Sequence, residues 1–445
     1  MTTLKESKLS NRGSYASTAG AKDFEVWDII TNLWDPDTNP DGYVSLGLAE
    51  NNLMHDRLLE FLDAKRLVDD TAHGLTYGDG PFGSKRVKAV IASFLSTHLR
   101  SAIELKPEHV FITNGVSSAI EHCAWTLANP GEGILLGRPY YRAFLPDIGT
   151  RTGVQIVPVS FGQVDPCHLD CVQKYEEALL RSNEQGVPVR ALMLCHPHNP
   201  LGRCYPRDTL IGLMKLCQKY QIHLISDEIY ALSTWKNTVD DLAHGYTGFE
   251  SILSINCKDT IDPSLVHVLW GVSKDFGANG IRLGAIVSQS NPAFLAALRT
   301  CSIYSSPSSL TENAVVHILS DTSFVESYIA TNQARLSAAH TQTVGALRKH
   351  GIEHMPGANA AFFLWINLGK FVREKTSLRE KGMQEYSGSE STRLIQDRLL
   401  AKKVYLVPGD AVGAEEPGWF RMVFTQREEL VAECVRRIVE ALEPK

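Results

Sequence analysis

The feature that most constrains this chain is a series of short apolar-rich runs alternating with helical patterns between about residues 85 and 290. HVFIT (109–113), GILLG (133–137), VQIVPVS (154–160), VRALMLC (189–195), IHLIS (222–226), VHVLW (266–270) and LGAIVS (283–288) lack the strict apolar–polar alternation of a half-exposed strand. Runs of this kind belong to strands buried on both faces. Between them, Val87, Val90, Ile91, Phe94 and Leu95 recur at spacings of three and four, and SSAIEHCAWTLA and DTLIGLMKLCQKYQ (208–221) also read as helices. Buried strands joined by helical crossovers predict an α/β core of roughly seven strands, mostly parallel.

The pattern changes after residue 290. Helix dominates to about 350, interrupted by the loop YSSPSS (304–309). AAFFLWINL (360–368), VYLVP (404–408) and FRMVFT (420–425) are then expected as strands, with helices near 390–402 and 427–442. Strands and helices without strict alternation indicate a separate α+β unit. The charged stretch 370–390 reads as a solvated loop or helix edge.

Composition narrows the function classes. Of 445 residues, 44 are basic and 50 acidic, a formal charge of −6 with 44% hydrophobic residues, which is ordinary globular composition. A mild acidic excess offers no electrostatic reason to expect nucleic acid or a membrane surface as partner. Apolar stretches such as VHVLWGV (266–272) fall far short of the roughly 18 residues a spanning helix needs, so a soluble protein is expected. The N-terminal MTTLKESKLSNRGSYASTAGAKDF is too polar for a secretory signal, and Glu6 argues against a transit peptide despite the Ser/Thr content. Nine scattered cysteines with no CxxC fit reduced thiols and a cytoplasmic location better than a disulfide framework. Cys167 and Cys171 stand four apart without a His-x-His nearby, so no metal site is expected.

Chemistry-bearing residues gather just past the carboxyl ends of the expected strands. Asn114-Gly115-Val116-Ser117-Ser118 follows the first strand, HPHNPLG (196–202) the one ending at Cys195, Asp227-Glu228-Ile229-Tyr230 follows IHLIS, and Ser273-Lys274 follows VHVLW. Singly, each is explained by a cap, a proline-bounded loop or a solvated charge, and His196 with His198 by a loop feature rather than a metal pair. Jointly they sit where open α/β sheets bind ligands. A helix N-terminus with hydroxyls at Ser117 and Ser118 suits a phosphate. Asp227 against a pyridine nitrogen would keep it protonated, with an attraction of about 4 kcal/mol at ~4 Å and an effective dielectric near 20 before desolvation. Lys274 could form a Schiff base with an aldehyde, and Asn199 and Tyr230 could donate to a phenolate. Phosphate, pyridinium, aldehyde and phenolate together describe pyridoxal 5′-phosphate (PLP).

The motifs PxNPLG, SDEIY and SKDFGxxGxRLG, in this order and spacing, resemble the fold-type-I PLP enzymes of the class I/II aminotransferase family over about residues 24 to 442. SLGLAENNL (45–53), YGDGP (77–81), PGEGILLGRPYYRAF (130–144) and EPGWFRMVF (416–424) are similar to the 1-aminocyclopropane-1-carboxylate (ACC) synthase group. The resemblance implies an N-terminal arm (1–23), an N-terminal part of a small domain with a dimer-contact segment (24–80), a large PLP-binding domain (81–315) with a mostly parallel seven-stranded sheet, and a C-terminal small α+β domain (316–445). It implies Lys274 as the Schiff-base lysine, Asp227 at the pyridine nitrogen, and Asn199 and Tyr230 at the ring oxygen. Val116, Ser117, Ser273 and Arg282 fall at the phosphate, Tyr141 against the ring, and Arg421 at the substrate α-carboxylate. Tyr77 matches a tyrosine given to the neighbouring subunit, which implies a homodimer with shared sites, and Glu50 lies where ACC synthases approach the substrate amino acid.

Two departures stand out. Where the family commonly has Ser-x-Ser-Lys, this chain reads Gly271-Val272-Ser273-Lys274, which lacks one phosphate hydroxyl worth roughly 1.5–3 kcal/mol. The turn after Tyr77 reads GDGPFGSK rather than the HGLPEFK of plant ACC synthases. The resemblance therefore implies an ACC-synthase-like enzyme acting on an α-amino acid, with a lyase that cleaves a carbon–sulfur bond of a sulfur-bearing amino acid, in secondary metabolism, as the leading expectation. An aminotransferase is the alternative. A catalytically idle regulatory module is the remote one, since Lys274 is intact and only a short segment precedes the resemblance.

Overall fold

A computed structural model describes residues 8–68, 73–241, 245–375 and 389–442. Strand β1 (Val44–Ser45) is followed by all seven expected runs: β2 (Val110–Thr113), β3 (Gly133–Gly137), β4 (Gln155–Val159), β5 (Val189–Cys195), β6 (His223–Asp227), β7 (Val266–Gly271) and β8 (Gly284–Val287). They form one sheet in the order β2-β8-β7-β6-β5-β3-β4. Only β8 runs against its neighbours, antiparallel to both β2 and β7. Successive residues feed opposite cores: Met193, Ile225 and Leu269 pack on one face, and Leu192, Leu224 and Val268 on the other. The runs are apolar throughout because each face has its own core. The edge strand β4 alone is largely open, and it carries Pro158, which a central strand could not accommodate. In helix Lys85–His98, Val87, Ile91, Phe94 and Leu95 are buried as their spacing predicts.

The second half contains β9 (Glu353–His354), β10 (Phe363–Asn367), β11 (Val404–Tyr405), β12 (Val407–Pro408) and β13 (Trp419–Val423). Strands β12-β13-β10-β9 make a four-stranded antiparallel sheet. Two expected strands are corrected. AAFFLWINL begins its strand only at Phe363, because Ala361 takes a left-handed φ of 54°. VYLVP is two strands: β11 pairs in parallel with β1, and β12 joins β13 in the other sheet, with buried Leu406 at the crossing. The β1–β11 pairing brings residues 44–50 beside the C-terminal part of the chain. Residues Asn11–Ile30 form a helix that runs past the expected end of the arm at residue 23 and is capped by Ser10, whose hydroxyl accepts from the Gly13 amide at 3.1 Å. Of the charged stretch 370–390, residues 376–388 lie outside the described residues. The first core continues from Ile225 and Leu269 to Phe363, which lies on the same face of the four-stranded sheet as Arg421, so that face packs toward the large sheet. No described helix is long and apolar enough to cross a membrane.

Candidate active site

Nine of the residues singled out in the sequence line one cavity of about 110 Å³: Val116, Ser117, Tyr141, Asn199, Asp227, Tyr230, Ser273, Lys274 and Arg282. Ile120, Cys195, Ile229 and Asn279 complete its wall. The strand-end rule explains the convergence: β2, β5, β6 and β7 all open on the same side of the sheet.

The phosphate-type end is shaped by glycines. Gly115 has φ 79°, and a Cβ there would come within 2.3 Å of the Arg282 Nη2. Arg282 itself is left-handed (φ 56°), with Nη1 donating to the Asn279 carbonyl at 2.8 Å. Gly271 pairs with Gly284 across β7 and β8. A Cβ on Gly271 would lie 2.7 Å from the Leu283 carbonyl oxygen and 3.2 Å from Val116 Cγ2, and one on Gly284 would lie 2.6 Å from the Gly115 carbonyl carbon. The missing serine at 271 thus has a steric cause: the N-terminus of helix Val116–Leu127 presses directly on this glycine pair. Ser118 does not serve the cavity. Its hydroxyl donates to the Asn114 carbonyl at 3.2 Å, whereas Ser117, which lines the cavity, donates to the Asp147 carboxylate.

Two charged groups face each other across the floor. Burial pushes the Lys274 amine down to about 8, with Arg421 and Arg282 adding repulsion and Glu50 and Asp227 opposing it. Its Nζ donates to the Ala49 carbonyl at 2.6 Å. Burial pushes the Asp227 carboxyl up to about 7, against the Ile229 amide and the Lys274 charge. Glu228 behind it is fully buried and accepts from Ser226 Oγ at 3.0 Å and the Ile252 amide at 2.9 Å, so it braces a loop. His196 and His198 do likewise. Burial holds both neutral, at about 3. His196 Nε2 donates to the Glu250 carbonyl at 2.9 Å, and no metal-type cluster exists among the described residues.

Arg421 reaches the site from β13 in the other sheet and is 4% exposed. Its Nη1 donates to Asn199 Oδ1 at 3.0 Å and its Nη2 to the Gly47 carbonyl at 2.6 Å, while its buried Nε has no partner. The guanidinium also lies 4.7 Å from the Phe363 ring centroid. Glu50 is held through its carbonyl by Thr425 Oγ1 at 2.6 Å, with its carboxylate in electrostatic reach of Lys274. Tyr77 stands apart, 100% exposed and outside the cavity.

The sequence reasoning missed Asp275. Buried beside Lys274, it accepts from the Leu232 amide at 3.1 Å, Ser233 Oγ at 2.8 Å and Trp270 Nε1 at 3.1 Å. It ties the Lys274 turn to the segment after Tyr230. Its place next to the lysine was the available signal.

A sequence profile for the family described as aminotransferase class I and II matches residues 44–438. A Bos taurus protein named 1-aminocyclopropane-1-carboxylate synthase-like protein 1 is 32% identical over 451 residues, covering 97% of this chain and 85% of the relative. The Oryza sativa subsp. japonica 1-aminocyclopropane-1-carboxylate synthase 3 is 32% identical over 407 residues, 88% of this chain and 85% of its own length. A Homo sapiens relative, 31% identical across 98% of this chain and 73% of its own, is named probable inactive 1-aminocyclopropane-1-carboxylate synthase-like protein 2. Among solved structures, the aspartate aminotransferase from Thermus thermophilus with maleate shares the fold at TM-score 0.72 and 18% identity, over 98% of this chain and 99% of that one. With its cavity at the strand ends and matches along nearly its whole length, this chain belongs to the aminotransferase class I and II family, as an ACC synthase-like, PLP-dependent enzyme.

Proposed function

We propose that this enzyme is a lyase that breaks a carbon–sulfur bond in a sulfur-bearing α-amino acid. The observation that carries the reading is a cofactor-type residue set lining one cavity, one of whose members, Asn199, is bonded by a buried arginine of the other sheet that keeps an unpartnered Nε. The residues fit PLP. Ser117, Ser273, Arg282 and the first-turn amides of helix Val116–Leu127, which have no intrahelical acceptor, form a donor set for a phosphate. Asp227 is the buried carboxylate for the pyridine nitrogen, and Lys274 the amine for the aldehyde. With Asn199 Oδ1 occupied by Arg421, its Nδ2 is left to donate to the ring oxygen beside Tyr230. Tyr141, in the cavity wall, would cover the ring.

Bound PLP supplies an electron sink for the amino-acid α-carbon. The chain supplies the rest. Arg421 has donors to spare after Asn199 and Gly47, and a planar fork that suits the α-carboxylate. Lys274 Nζ, held down to about 8, is neutral often enough near pH 8 to take the α-proton. Asp227 would face the pyridine nitrogen of bound PLP and favour its protonated form, and Glu50 near the Lys274 amine favours the return of that amine to the charged form. The relatives named for ACC synthase favour a lyase outcome, and the family description favours amino transfer as the second reading. Product analysis separates them: pyruvate with free thiol from S-substituted cysteines selects the lyase, glutamate from amino acid plus 2-oxoglutarate selects the aminotransferase, and methylthioadenosine from S-adenosylmethionine selects ACC synthesis. Holoenzyme inert to all three would overturn the proposal in favour of an idle module. All nine cysteines are free, which suits a reducing compartment such as the cytoplasm.

A homodimer with shared sites belongs to the same reading. Tyr77 is fully exposed, and Leu75 and Tyr304 are largely so, a pattern suited to burial against a second copy. Mixing inactive Tyr77→Ala and Lys274→Ala subunits should restore about a quarter of wild-type activity, since half of the randomly mixed dimers carry one intact site. No recovery after verified subunit exchange would count against that arrangement.

Restoring the family serine should be harmful here. Gly271→Ser forces a Cβ onto the Leu283 carbonyl, at an overpacking cost of about 1–3 kcal/mol. PLP titration followed by absorbance should show affinity lowered roughly tenfold; tighter binding would show that the lost hydroxyl matters more than the space.

A further inference from the structure

The two sheets are joined inside the site by Arg421 and Asn199, and outside it by the loop between β12 and β13. Within that loop the Val412 carbonyl accepts from the Tyr140 amide at 2.8 Å. Gly413, at φ 72°, lies against the Tyr140 ring, where a Cβ would be 2.7 Å from Cε1. The Glu415 carboxylate then crosses to the turn after β4. Oε2 accepts from the amides of Phe161 and Gly162, both at 3.0 Å, and Oε1 accepts from the Ser160 hydroxyl. All three donors belong to the large-sheet side. Neighbouring Glu416 instead stays within its own loop, accepting from Trp419 Nε1 at 3.3 Å.

Both ends of this connection lead to the site. The turn at 160–162 is coupled to the segment entering Tyr140-Tyr141, because the Arg138 amide donates to the Val159 carbonyl at 3.1 Å. Tyr141 lines the cavity. In the other direction the loop runs through Gly418 into β13, which carries Arg421. An ionised acceptor shared by two amides and a hydroxyl makes a stronger tie than neutral hydrogen bonds, and here it is a side-chain tie between the segment leading to Tyr141 and the strand of Arg421. We infer that Glu415 is a positioning residue, a latch that sets the strand of Arg421 against the Tyr140-Tyr141 segment so that a substrate carboxylate meets an assembled site. The inference rests on the proposed role of Arg421.

The test uses two small nucleophiles that displace Lys274 from the cofactor: aminooxyacetate, which carries a carboxylate, and hydroxylamine, which does not. Their rate constants with holoenzyme are followed through the visible band, and the ratio reports carboxylate capture independently of the natural substrate. In Glu415→Ala the ratio should fall about tenfold, the loss of a partly exposed charge-assisted contact. In the near-isosteric Glu415→Gln it should fall less, and in Glu416→Gln it should stay as in wild type. Hydrogen exchange at the Phe161 and Gly162 amides should quicken in Glu415→Ala. A ratio unchanged in both Glu415 variants, while Arg421→Lys lowers it, would overturn the latch and leave the Arg421 reading standing. A ratio unchanged in Arg421→Lys as well would overturn both.

Discussion

Lys274→Ala abolishes covalently held cofactor and lowers turnover by on the order of 10⁴-fold, the scale of losing a nucleophile and a general base together. The fold should survive, because the amine makes one hydrogen bond, to the Ala49 carbonyl, and that carbonyl keeps Asn279 Nδ2 at 3.3 Å. Wild-type protein reconstituted with PLP should show a visible absorption band and, after borohydride, a mass increase on the peptide containing Lys274. The variant should show neither, although it still binds PLP through the phosphate contacts. Removing the lysine also removes a charge that holds the Asp227 carboxyl down, so Asp227 should titrate at a higher pH in the variant than in wild type. A variant that keeps borohydride-trappable cofactor, or wild-type turnover, would remove Lys274 from the chemistry.

Arg421→Lys weakens capture of the amino acid roughly 10- to 150-fold, the equivalent of one charge-assisted hydrogen bond at 1.5–3 kcal/mol. A lysine keeps the charge but loses the planar fork, and one ammonium on a flexible stem cannot span Asn199 Oδ1, the Gly47 carbonyl and a substrate carboxylate together. The effect should appear in KM, with a smaller change in kcat and an unchanged cofactor spectrum. Arg421→Ala adds a second signature. Arg421 helps to depress the Lys274 amine, so removing its charge should raise that amine and move the pH profile for α-proton removal toward alkaline values, whereas Arg421→Lys should leave the profile in place. An unaltered KM in Arg421→Lys would place carboxylate recognition elsewhere.

Much of the site was legible because its chemistry is written in contiguous segments. Asn199 lies in a proline-bounded loop, Asp227 to Tyr230 at the end of a buried run, and Ser273-Lys274 at the end of another, so a local reading reached these cavity residues together with Val116 and Ser117, while Tyr141 and Arg282 came only through the family resemblance. What stayed hidden depends on partners distant in the chain. Asp275 matters through Leu232, Ser233 and Trp270, and Glu415 through a turn 253 to 255 residues away. Gly271 looked like a lost hydroxyl until the Leu283 carbonyl and Val116 were seen to fill its space. Ser118 looked like a phosphate donor until its hydroxyl was found on the Asn114 carbonyl.

The same division holds for the fold. Six of the seven strands could be read from the sequence because a strand covered on both faces must be apolar along its length, and that requirement is local; the open edge strand β4 was read from its Val and Ile content alone. The reversed direction of β8 and the division of 404–408 between two sheets could not be read, because strand direction and partner choice leave no trace in local hydrophobicity. Sequence by itself determined that Ser117, Asn199, Asp227, Tyr230 and Lys274 stand at the strand ends, where they line one cavity. Tertiary structure alone decided that Arg421, from another sheet, bonds to Asn199 among them and keeps a buried Nε without a partner, because only packing of the shared core between the sheets sets that distance.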